Sequence, residues 1–229
     1  MSVHLVYKQN GVKMMRPVLT REEYMKLRNG GFQVQNVARI RQGDEALKAS
    51  LVQMNYSCLP NDDGTLKGST RMSTTIGMDI DHITEEEMQP IRERILAKKD
   101  ALGLLMLEES ARGRGYHLVF RRKPELSQEE NLKWASELLE VEYDKGAKDI
   151  TRVFFTTTGE QLLYLDEAIF KMEDVRGKME DGRRKMEDVR GRSAEGRFLT
   201  PEGISALRLA PWSKKMWSKW SWSFGQNRN

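Results

Sequence analysis

The stretch TIGMDIDHI, residues 75–83, decides how this chain is read. Side chains on a strand alternate between faces. Ile76, Met78 and Ile80 therefore share one face, while Gly77, Asp79 and Asp81 share the other. The first face suits a core. The second brings two like charges together, which is unfavourable unless a cation or another counter-charge lies between them.

Regular structure extends outward from this strand, which the pattern places over Thr74–Ile83. Thr84 is a helix N-cap with Glu87 three residues on, a capping box. Ile91, Ile95, Ala101 and Leu102 continue an amphipathic helix that stops at Gly103. Leu104–Leu107 reads as a second strand, the turn SARGRG follows, and Tyr116–Arg121 reads as a third. Ser127 and Glu130 repeat the capping box, opening a helix with Leu132, Ala135, Leu138 and Leu139 on its buried stripe. Ile150–Thr157, β-branched and aromatic, is the fourth strand. The expected fold is α+β, with a ferredoxin-like or RRM-like βαββαβ core over about residues 74–158.

An N-terminal α/β extension precedes this core. It has a strand-like start at Val3–Tyr7 and a helix from Thr20 to about Leu27, and residues 1–170 form one domain. Residues 171–197 carry the tandem repeat KMEDVRG, KMEDGRR, KMEDVRG. With one reliably apolar position per repeat, they read as a charged, partly helical linker. Residues 198–229 form a basic tail, poorly ordered or helical, in which Trp212, Trp217, Trp220 and Trp222 alternate with lysines. Residues 1–170 carry 24 Lys and Arg against 26 Asp and Glu, so the net charge of +4 belongs to the C-terminal segments. Aromatics among lysines suit stacking on bases and neutralising phosphates.

Cys58 is the only cysteine, which excludes an intrachain disulfide or a cysteine-based zinc site. The opening MSVHLVYKQNGVKMM lacks an apolar signal core, and no apolar run is long enough to span a bilayer. The expectation is a cytoplasmic protein with no membrane partner.

The usual strand order of a βαββαβ sheet is 4-1-3-2. That order sets Asp79 and Asp81, His117 and Asp149 on three adjacent strands, on a face left open by the helices. Strands about 4.8 Å apart allow such side chains to converge. Hard carboxylate oxygens at that spacing favour Mg2+ or Mn2+. Arg112 and Arg114 in the glycine-punctuated turn suit a triphosphate. Strict alternation puts Arg152 on the face opposite Asp149, so either Asp149 precedes the regular strand or a bulge intervenes.

Three short motifs carry a resemblance to the archaeo-eukaryotic primase (primase-polymerase) superfamily: MDIDHI, GYH within GRGYHLVF, and KDITRVFF. From LKASLVQMNYSCLPNDDG to DITRVFFTT the chain is similar to the VirE-type N-terminal domain of mobile-element replication proteins. The resemblance covers roughly residues 1–170. It implies a two-metal nucleotidyltransferase, a primase or primase-polymerase of a mobile-element, phage or plasmid replication protein. Such an enzyme takes a DNA template and NTP or dNTP. By resemblance Asp79, Asp81 and Asp149 hold the metals and His117 contacts the incoming phosphates, while Lys48 and Arg152 also meet phosphate. Gly115 stands where many primases have serine, and no zinc-binding element is visible. A separate helicase is the implied partner. The alternative from another class is a non-catalytic RRM-like nucleic-acid-binding module, or a truncated inactive remnant. A nucleotidyl cyclase of similar topology lacks its Gly-Gly-acidic hairpin here.

Overall fold

A computed structural model describes residues 3–171; the rest of the heptad repeat and the tryptophan-rich tail lie outside the described residues. The chain opens with the hairpin β1 (His4–Gln9) and β2 (Val12–Pro17). Next comes α1 (Arg21–Arg28), capped where Thr20 Oγ1 accepts from the Glu23 amide at 3.1 Å, and then α2 (Gly31–Arg41). A 3-10 turn at Glu45–Ser50 leads into β3 (Gln53–Asn55).

The stretch first quoted forms β4 (Thr75–Ile80), which ends earlier than its pattern suggests. It is followed by α3 (Glu85–Ala97), the short α4 (Lys99–Leu102), β5 (Leu104–Glu109), β6 (Tyr116–Arg121) and α5 (Gln128–Leu139). Both capping boxes form: Glu87 accepts from the Thr84 amide at 3.1 Å and Glu130 from the Ser127 amide at 2.8 Å. A 3-10 turn at Lys145–Lys148, β7 (Phe154–Phe155) and β8 (Leu162–Leu165) complete the regular structure that bears on the site.

The strands make two antiparallel four-stranded sheets, ordered β2-β1-β3-β7 and β4-β6-β5-β8. One face of the second sheet packs on α3 and α5. Ile76, Met78, Ile80, Tyr116, Leu118 and Phe120 meet Ile95, Leu132, Ala135 and Leu139 there. Full burial of side chains of this size stabilises by about 1.5–3 kcal/mol each, which makes this layer the main apolar support. Its opposite face packs on the first sheet, where Leu105, Met106 and Val119 meet Met54, Tyr56 and Phe154.

Two expectations from sequence are corrected. The first, third and second strands of the expected βαββαβ unit do lie in the order β4-β6-β5, but the fourth is not beside β4. It pairs with β3, and β8 takes a sheet edge instead. Asn55 holds it there, donating to the carbonyls of Ile150 at 2.8 Å and Arg152 at 2.9 Å, while the Thr156 amide donates to Val52 O at 2.9 Å. The face expected to be open is covered by the first sheet, because Met54, Tyr56 and Phe154 need burial as much as the strand does. Gly77 permits the closest approach: a Cβ at that position would lie 2.6 Å from the Phe154 ring.

Candidate functional site

Alternation along β4 aims Asp79 away from the helices and into the space between the sheets. Asp79 stands opposite His117 in the β4–β6 register, and His117 stands opposite Glu108 in the β6–β5 register. Three ionisable side chains thus form a row across three strands. Each is nearly sealed from solvent, with exposures of 5%, 4% and 0% for Asp79, His117 and Glu108.

Glu108 is held on every side. One oxygen accepts from Arg28 Nη1 at 2.6 Å, the Thr157 amide at 3.1 Å and Thr157 Oγ1 at 2.7 Å. The other faces His117 Nδ1 at 3.1 Å. Arg28 is fully buried and also donates to the Tyr24 hydroxyl at 2.6 Å, which in turn bonds Tyr56 at 3.0 Å. Burial by itself would raise the Glu108 pKa, but the charges of Arg28 and His117 hold it well below the usual carboxylate range. Burial would lower the His117 pKa, yet its bond to Glu108 and the charges of Asp79, Glu108 and Asp81 carry it above the ordinary imidazole value. The ring of Phe154 closes over His117 edge to face, 5.4 Å between centroids.

At the other end of the row Asp79 meets Asp81 and Asp144. One oxygen from each lies within 4.8 Å of the others, a group that could hold a metal ion. Asp81 follows the last residue of β4, and His82 beyond it adopts a left-handed conformation (φ 62°) that turns the chain away. Burial first, and then the charge of Asp79, push the Asp81 pKa upward. Asp144 arrives because its amide donates to Asp79 O at 2.8 Å, and its carboxylate caps the following turn through the Gly146 amide at 2.8 Å. Arg152 is the counter-charge, with Nη2 2.8 Å from Asp79 Oδ2 and also bonded to Asp144. Gly146 makes room for that guanidinium, which a Cβ would strike.

The donor set suits a hard divalent cation in chemistry and in one specific detail. Asp79 Oδ1 is buried and has no hydrogen-bond partner; His117 Nε2 stands off at 3.6 Å. A buried carboxylate oxygen left without a donor is costly, and a cation would satisfy it.

Asp149, expected as a metal ligand, is not in this group. Its carboxylate accepts from the Thr151 amide and hydroxyl, both at 2.8 Å, so Asp144 fills the third position. The dilemma over Arg152 resolves accordingly: Asp149 precedes the regular strand as the cap of the 145–148 turn, and Arg152 faces the site. His117 lies beneath Asp79, buried, and lines neither cavity described below. Gly115, which stands where many primases have serine, has a physical reason. A Cβ there would strike the Ile80 carbonyl, so only glycine fits.

Two cavities flank Asp81. One of about 740 Å3 is lined by the basic Arg41, Lys48, Arg112 and Arg114 and by the acidic Glu45, Asp81 and Glu85, together with Ser110 and Thr84. Arg112 is paired with Glu45 at 2.6 Å and Arg41 with Glu109 at 2.9 Å. Lys48 lies 5.7 Å from the Phe155 ring centroid. The other cavity, about 680 Å3, is lined by Glu86, Glu87, Glu140, Glu142 and Asp144, with Arg94 and Tyr143. Among the described residues no helix is long and apolar enough to cross a membrane.

Asp144 and Glu108 were missed from sequence. Asp144 sits in a connection with no periodicity. Glu108 ends an apolar run and reads as solvated, although alternation from Met106 assigns it to the same face as His117. No protein-family model, curated protein or solved structure matches the chain.

Proposed function

We propose that this chain is a metal-dependent nucleotidyltransferase of the primase or primase-polymerase type, joining a nucleotide to a 3′-hydroxyl on a DNA template. The observation that carries the reading is the acidic group Asp79, Asp81 and Asp144, with its unpartnered buried oxygen, beside a cavity whose lining includes four basic side chains along with Glu45 and Glu85. Carboxylates alone repel a polyphosphate, and basic side chains alone bind it without chemistry. Side by side they suit phosphoryl transfer.

Asp79, Asp81 and Asp144 would hold Mg2+ or Mn2+. A cation held there would supply charge neutralisation at the phosphates and polarisation of the attacking oxygen. Lys48, Arg112 and Arg114, with Arg41, receive the triphosphate of NTP or dNTP. The 3′-hydroxyl gives its proton to solvent as its oxygen bonds the α-phosphorus, the bond from that phosphorus to the bridging oxygen of the β-phosphate breaks, and diphosphate leaves. Arg152 balances the charges of Asp79 and Asp144. His117, backed by Glu108, fixes the Asp79 side of the site.

A second reading, an RRM-like binding module, requires an open sheet face with exposed aromatics. Here Tyr116 and Phe120 are buried against the helices and the opposite face is under the first sheet, which favours the first reading. The test is template-dependent incorporation with Mg2+ or Mn2+ by the wild type and by Asp79→Ala/Asp81→Ala. Incorporation is expected in the first and lost in the second; equal incorporation by both would rule the site out.

A further inference from the structure

We propose that Glu108 is a positioning residue for the metal centre: it takes the Nδ1 proton of His117 and thereby presents Nε2, and not Nδ1, to Asp79. The inference rests on the metal reading of Asp79, Asp81 and Asp144, and it assigns a task to a residue that touches neither metal nor nucleotide.

The Glu108 oxygen away from His117 already accepts from Arg28 Nη1 and from both the amide and the hydroxyl of Thr157. The carboxylate cannot turn without breaking three bonds in a fully buried setting. The oxygen that remains faces His117 Nδ1 at 3.1 Å, and an ionised carboxylate only accepts, so the ring nitrogen must donate. The ring is then fixed in the plane it occupies, with Phe154 packed edge to face against it. Its Nε2 lies 3.6 Å from Asp79 Oδ1, the oxygen that has no other partner. Arg152 holds the opposite oxygen of the same carboxylate at 2.8 Å. Asp79 is thus gripped from one side by a residue that a cation can displace and backed on the other by a ring that Glu108 keeps in place. Outer partners of this kind orient a ligand set, and their loss costs about 10–100-fold in metal affinity.

Glu108→Gln is the discriminating change. Arg28 and Thr157 are all donors at one oxygen, so they retain the amide oxygen and turn the amide NH2 toward Nδ1. That nitrogen must then accept, and the ring proton moves to Nε2 or the ring rotates. The experiment uses the full chain labelled with 15N histidine, with His117→Gln assigning the signal among the three histidines. Mn2+ alone is titrated in parallel and read by electron paramagnetic resonance. The wild type is expected to show His117 Nδ1 protonated, and Glu108→Gln to show it unprotonated with Mn2+ affinity weakened by about 10–100-fold. His117→Gln and the double variant are expected to weaken Mn2+ binding no further than Glu108→Gln, because the two residues act in series.

An unprotonated Nδ1 in the wild type overturns the proposal, as does an unchanged Mn2+ affinity in a folded Glu108→Gln. If Glu108→Gln does not fold, Thr157→Val carries the test by removing one donor while keeping the Arg28 pair. A smaller weakening supports the proposal, and an unchanged affinity overturns it. A wild type that binds no Mn2+ while Nδ1 is protonated overturns the metal reading and the proposal's link to it, leaving the ring contact intact. A wild type that binds Mn2+ but incorporates no nucleotide overturns only the nucleotidyltransferase reading.

Discussion

The two faces of the sheet β4-β6-β5 are buried to the same degree but in opposite chemistry. Toward the helices, Ile76, Met78, Leu118 and Phe120 belong to one apolar cluster. Toward the other sheet, Asp79, His117 and Glu108 are sealed among Met54, Met106 and Phe154, with Arg28 behind them. The first layer gains stability from area removed from water. The second takes charges out of water, where desolvation can cancel the attraction between partners, so stability alone is a poor reason to keep it. The contrast gives folding to one face and, on the proposed reading, chemistry to the other.

The strongest challenge to that division is Phe120→Ala on the helix side. It should cost about 3–5 kcal/mol in urea unfolding and leave the Mn2+ affinity of the folded fraction unchanged. A change in affinity would show that the layers are not separable. Asp79→Asn should do the reverse. It should lower incorporation on the order of a hundredfold, about 2.7 kcal/mol of transition-state stabilisation, with a smaller loss of folding stability than Phe120→Ala. Gly77→Ala sits where the layers touch. Its Cβ would press on Phe154, and the expected cost is about 1–3 kcal/mol of stability together with weaker Mn2+ binding, since Phe154 also packs on His117. The smallest effect is expected from Arg152→Gln, which removes the cation already resident between Asp79 and Asp144. Mn2+ affinity should rise about tenfold, about 1.4 kcal/mol, as measured by calorimetry. A fall would make Arg152 a support of the site and not a competitor.

The helix-facing layer was legible in the sequence because it follows simple periods. Alternation sorted Ile76, Met78 and Ile80 from Gly77, Asp79 and Asp81. The paired capping residues Thr84 with Glu87 and Ser127 with Glu130 located both helix starts. The charged layer was legible only in part, since its members come from distant stretches that share no pattern. Alternation put Asp79 and Asp81 on one face, but Arg152 was read as a phosphate contact where it pairs with Asp79 and Asp144, and Asp144 itself is placed by a single backbone bond to Asp79 O, which no spacing announces. The pairing of β7 with β3 was hidden for a similar reason. A two-residue strand has too short a pattern to reveal its partner, and the side chain of Asn55 makes the decisive bonds.

Thr157 gives the site an order of assembly. Glu108 depends on it for two of its donors, although the two residues are separated by 49 positions in the chain. During synthesis from the N-terminus, β4, β5 and β6 emerge with their helices well before Thr157 does. Until that residue arrives, Glu108 has Arg28 but lacks two of the three donors at that oxygen, so the clamp on His117 behind Asp79 is incomplete. The helix-packed half of the domain can therefore form first as a scaffold, and the charged half is completed by a segment that reaches back across it. A ribosome-bound chain ending before β7 would carry all of MDIDHI and still lack the finished site.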